Sequence, residues 1–135
     1  MADKGGKNMT ADELARRLVM KLMAARTDLA AYIQMRKAKG YMSVNENDRL
    51  REMFFALALE IRDKSERLQE IQDRDTRSAM YSAEEALSSA AVSLMSGRRD
   101  CANFISVNVD KLERSLNILD YSIQYLNEHS PLAEA

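Results

Sequence analysis

Apolar residues recur at helical spacing along most of the chain. Leu14, Leu18, Leu22, Ala25, Leu29 and Ile33 follow one another at intervals of three and four, the period of a helix that buries one face. A second run comprises Leu50, Phe54, Leu57, Ile61, Leu68 and Ile71, with polar Lys64 in the same register. The third is rich in small residues: Met80, Ala83, Leu87, Ala90, Ala91 and Leu94. The fourth comprises Cys101, Ile105, Asn108, Leu112, Leu116, Leu119, Ile123 and Leu126.

Punctuation places the boundaries. Thr10–Glu13 and Ser43–Glu46 are capping boxes, in which hydroxyl and carboxylate satisfy the first backbone donors of a helix. Lys37, Lys39 and Gly40 form a basic last turn with a left-handed stop. Gly97 ends the third run and Ser130-Pro131 the fourth. The pattern predicts helices over about 10–39, 44–74, 77–96 and 99–129. The stretch 72–78 contains no Gly or Pro. Thr76, Ser78 or the Ser82–Glu85 box can start a third helix, with a single helix over about 44–96 as the alternative. Long helices joined by short loops favour antiparallel neighbours, so the expected fold is an all-α, up-down-up-down four-helix bundle. It occupies residues 10–129 as one domain, with a mobile tail over 1–9 and a short tail over 130–135.

Composition agrees. The chain has 135 residues, 46% apolar and 30% charged, with 4 Gly and 1 Pro. That is long enough for one core, too rich in apolar residues for disorder and too poor in turn residues for a β fold. The single cysteine, Cys101, excludes an intramolecular disulfide and fits a reducing compartment. The first residues lack a signal-peptide core, and no apolar run reaches bilayer length. A cytoplasmic location without membrane association is expected.

Catalytic chemistry is sparse. His129 is the only histidine and stands beside the helix-stopping Ser130-Pro131, where it complements the helix dipole. Cys101 falls on an apolar stripe and is expected to be a buried thiol; Arg98 and Arg99 beside it offer a reactive alternative. The acids lack a Glu-x-x-His pair, and Asp73-Arg-Asp75 lacks the Gly and closing Glu of a calcium loop. No phosphate-cradling glycine loop, CxxC or Ser-His-Asp set is present. The expectation is a non-enzyme with no cofactor and no metal.

The surface is more informative. On helical geometry Phe55 and Leu59 fall opposite Leu50, and Val107, Ile118, Tyr121 and Tyr125 fall opposite Leu112 and Leu119. Single exposed hydrophobes are ordinary; grouped at helical spacing on two helices, these six suggest contact with a second copy or another protein subunit. Net charge is −1, so the chain as a whole has no pull toward nucleic acid. Residues 1–52 nevertheless hold 11 Lys/Arg against 7 Asp/Glu. An up-down bundle collects Arg36, Lys37, Lys39, Arg49, Arg98 and Arg99 at one pole. Helix-dipole complementarity explains such a pole; contact with the phosphates of a nucleic acid is the sharper alternative. No interleaving of aromatic and basic residues in the sequence supports base recognition. Arg26, Lys64 and Asn108 interrupt apolar stripes. Arg26 is expected to pair with an acid across the bundle or with a partner subunit, or to snorkel; Lys64 to snorkel; and Asn108 to fix helix register. The sequence thus predicts a helical protein that works by association, or alternatively an accessory subunit that binds nucleic acid through its basic pole.

Overall fold

The computed structural model describes residues 10–128. The predicted tails and His129 lie outside the described residues. The chain forms α1 (Ala11–Lys39), β1 (Met42–Ser43), α2 (Val44–Asp63), α3 (Ser65–Leu68), α4 (Arg74–Met95), β2 (Arg98–Cys101), β3 (Phe104–Ser106) and α5 (Val109–Glu128). The fold is mostly helical, as the apolar periodicity predicts.

Both predicted capping boxes mark helix starts, the first formed on both sides and the second only through the Ser43 hydroxyl. The Thr10 hydroxyl accepts from the Glu13 amide while the Glu13 carboxylate accepts from the Thr10 amide. Ser43 accepts from the Glu46 amide at the start of α2. Gly40 ends α1 at φ 87° and donates to the Arg36 carbonyl; a side chain is strained in that left-handed region.

The core is one apolar cluster fed by all four long helices. Phe54, Leu18, Leu22, Leu29, Ile61, Leu87, Leu112 and Leu119 are among its most deeply buried side chains. α4 packs extensively on α5 and on α2, α1 packs on α5, and the α1–α2 seam is the least intimate of the four. Alanines at 79, 83, 86, 90 and 91 of α4 are buried, so its backbone approaches its neighbours closely. Ion pairs cross the seams: Lys21–Glu60 between α1 and α2, Arg62–Glu84 between α2 and α4, Arg26–Asp120 and Lys37–Glu113 between α1 and α5. Arg26 therefore pairs across the helices.

Two predicted boundaries require correction. The second helix stops at Asp63 rather than about 74, and residues 72–78 are not continuous helix. Leu68 and Ile71 are buried as the stripe implies, but from α3 and the connection after it. The Arg77 guanidinium donates to the Ile71 and Gln72 carbonyls and holds that connection. Asp73 then caps α4, accepting from both the amide and the hydroxyl of Thr76. The Ser82–Glu85 box lies inside α4 and starts nothing. Lys64 lies in the bend and is exposed, so no core position is spent on it.

The fourth helix begins at Val109 rather than about 99. Residues 98–106 form a hairpin, and with β1 they make an antiparallel sheet of order β1-β3-β2. Met42 pairs with Ile105, Ser43 with Phe104 and Arg98 with Ser106, with an irregularity between Arg99 and Cys101. The outcome follows from alternation: Ile105 and Val107 are buried while Phe104 is exposed, a period of two. Asn108 is not a core register device. Its side chain accepts from the Lys111 amide at the start of α5. Cys101 is an exposed free thiol on β2, not a buried one.

Gly97 makes the hairpin possible. A Cβ built there would lie 2.6 Å from Val107 Cγ1 and 2.9 Å from Ile105 Cδ1. Neither β-branched side chain has room to retreat, because both are buried. Gly97→Ala is expected to lower stability by about 1–3 kcal/mol, as overpacking does, and hydrogen exchange should show the loss concentrated in β2 and β3.

Candidate functional site

Of the six residues predicted to face a partner, four reach the surface. Phe55 and Leu59 are exposed on α2, and Ile118 and Tyr121 on α5. Ile118 lines a groove on the α4–α5 seam that also exposes Val92 and is bordered by Glu85, Lys111 and Arg114. Val107 is a correction: it is only 4% exposed and belongs to the core, because residues 104–107 follow strand rather than helical alternation. Tyr125 is half-buried, and its hydroxyl lies 3.4 Å from the Asp73 carboxylate, to which it donates. Hydrogen bonds from Thr76, foremost its hydroxyl, and from Tyr125 hold the Asp73 carboxyl below the usual carboxylate range. Burial and the neighbouring acids push the Tyr125 phenol up. Tyr125 thus ties α5 to the cap of α4.

The sheet sets where several of the predicted basic residues lie. Pairing of β1 with β3 brings the end of α1 beside the hairpin that carries Arg98 and Arg99. Their environments differ. Lys37 is engaged by Glu113 on α5. Arg36 is half-buried, and its Nε has no hydrogen-bond partner among the described residues. Arg49 borders a groove between α1 and α2. Lys39, Arg98 and Arg99 are exposed, Arg99 donating to the Ala102 carbonyl. The Lys39 ammonium lies 6.0 Å from the centroid of the Tyr41 ring, within cation–π range.

Sequence reasoning missed an aromatic pair here. Tyr41 and Phe104, 63 positions apart in the chain, meet edge to face with ring centroids 4.8 Å apart. They are 39% and 38% exposed. No local spacing reveals such a pair, since strand register alone makes it.

Beneath this pole a buried polar link joins three helices. The Tyr32 hydroxyl donates to Asn47 Oδ1 at 2.8 Å, and Asn47 Nδ2 donates to the Leu94 carbonyl at 3.1 Å. Burial pushes the Tyr32 phenol well above the ordinary tyrosine range, against the pull of the nearby Arg36 charge, so it remains a donor. The loose α1–α2 seam also leaves two shallow depressions of ≈ 290 Å³ each. One is walled by Tyr32, Met35, Met42 and Met53, the other floored by Ala24, Ala25, Ala56 and Leu57. Their rims carry both charge signs. Among the described residues no group of three or more His, Cys, Asp and Glu could hold a metal ion, and no helix is long and apolar enough to cross a membrane.

These features define a mostly helical protein that exposes aromatic, apolar and basic side chains on its surface. Residues 9–134 match the family described as biofilm formation protein (YliH/bssR). The chain is 54% identical over 118 residues to proteins named biofilm regulator BssR from Escherichia coli K12, Escherichia coli O157:H7 and Shigella flexneri. Each alignment covers 87% of this chain and 93% of the relative. The chain belongs to the YliH/BssR family. No solved structure matches it.

Proposed function

We propose that the protein is a non-catalytic regulator of biofilm formation that acts in the cytoplasm by associating with a second copy or another protein subunit. The carrying observation is the apolar surface on two helices, Phe55 and Leu59 on α2 and Ile118 and Tyr121 on α5, outside a core that is already complete. Aromatic side chains left exposed in this way are enriched at protein interfaces. The names of the relatives supply the regulatory part of the reading. The scaffold is read as an up-down-up-down four-helix bundle. In support, α1 packs on α2, α2 on α4, α4 on α5 and α5 on α1, with connections at alternate ends. In that arrangement α2 and α5 stand at opposite corners, and their outer faces look away from each other, so two separate contacts are available.

The test is Phe55→Asp with Leu59→Asp. Light scattering is expected to give a particle larger than the 15.3 kDa chain for the parent and the chain mass for the double variant, with melting nearly unchanged. In cells lacking their own copy, the variant should fail to restore the biofilm phenotype. A monomeric parent would remove self-association, and full complementation by the folded double variant would remove the α2 face from function altogether.

A further inference from the structure

We propose that the outward face of the β1-β3-β2 sheet binds single-stranded nucleic acid, by stacking bases on Tyr41 and Phe104 and placing cations beside their phosphates. The face is defined by register. Ile105 turns inward, so Phe104 and Ser106 on either side of it turn outward. Their cross-strand partners Cys101 and Arg98 share that face. Tyr41 joins them through its ring contact with Phe104. Two exposed rings, with Lys39 beside Tyr41 and Arg98 on the sheet face that Phe104 shares, combine the two elements by which proteins hold unpaired strands: π faces for bases and positive charge for the backbone.

Charge decides the occupant. The chain is net negative, yet exposed Lys39 and Arg98 lie at this sheet, and Lys39 forms no ion pair with the described residues. A stacked base brings its phosphate within reach of that ammonium. A duplex hides its base faces within the helix and meets only the charge.

Fluorescence anisotropy with the full chain, short uridine and thymidine oligomers and a blunt duplex, at ~50 mM salt where backbone contacts are strongest, tests this. Both single strands should bind, and the duplex at least about tenfold more weakly; the ribose and deoxyribose arms show which strand is preferred. Tyr41→Ala and Phe104→Ala should each weaken binding about tenfold, while Tyr41→Phe, which keeps the ring, should retain it. Lys39→Gln should lower affinity for all strands and reduce the slope of log affinity against log salt by about 1. A bound strand should also slow alkylation of Cys101, which stands across from Phe104. If the alanine variants do not fold, Lys39→Gln and Cys101 protection decide. Absence of binding at low salt, duplex bound as tightly as single strand, displacement by polyglutamate at equal charge concentration, or unchanged affinity in folded alanine variants would each overturn the proposal.

Discussion

Phe54→Ala is expected to cost about 3–5 kcal/mol, whereas Phe55→Ala, one residue along, should cost well under 1 kcal/mol. Phe54 is 0% exposed and sits among the largest buried side chains, while Phe55 is 39% exposed. Removing the Phe54 ring leaves a void that the surrounding helices cannot fill without moving. The alanine-rich α4, which packs on α2, has few long side chains to relax into it. Total stability of a domain is about 5–15 kcal/mol, so Phe54→Ala consumes a large share, visible as a lower urea midpoint. The contrast matters for function. A residue that contributes little to the fold yet presents an aromatic ring to solvent is free to serve association, and Phe55→Asp can therefore separate assembly from folding.

Asn47→Ala is expected to cost about 3 kcal/mol and to lower the melting temperature by roughly 10 °C. The 1% exposed amide satisfies two groups at once, the Tyr32 hydroxyl and the Leu94 carbonyl. Leu94 lies in the last turn of α4, where carbonyls have no partner further along the helix. Alanine would leave a donor on α1 and an acceptor on α4 buried without partners. Thermal melts of Asn47→Ala, Tyr32→Phe and the double variant measure the coupling. Tyr32→Phe should be milder, because it removes the donor along with its need for a partner. If Asn47→Ala melted within a degree or two of the parent, the link would not be a determinant of this end of the molecule.

The exposed pairs Phe55/Leu59 and Ile118/Tyr121 were legible because helical spacing is a local property. Leu50 fixes the inward side of α2, and five and nine positions on the chain must face away. The same reasoning failed for Val107, Cys101 and Asn108. Spacing of Cys101, Ile105 and Asn108 by four and three mimics a helix, yet the shorter alternation of Phe104, Ile105, Ser106 and Val107 prevails. Once Gly97, having no Cβ, lets Ile105 and Val107 pack close, Ile105 is opposed to Met42 and its pairing is satisfied. A strand needs a partner distant in the chain, and no local pattern announces it.

By itself the sequence determined the helical class, the two capped helix starts at Thr10 and Ser43, the Gly40 stop and the inward stripes of α1, α2 and α4. All depend on contacts within a few residues, where backbone geometry dictates which side chains share a face. Tertiary structure alone decided the sheet, the Tyr32–Asn47–Leu94 link and the Tyr41–Phe104 pair. The sheet, the link and the ring pair join residues far apart in the chain, and their meeting depends on how the helices pack and which backbone groups remain to be satisfied at their ends.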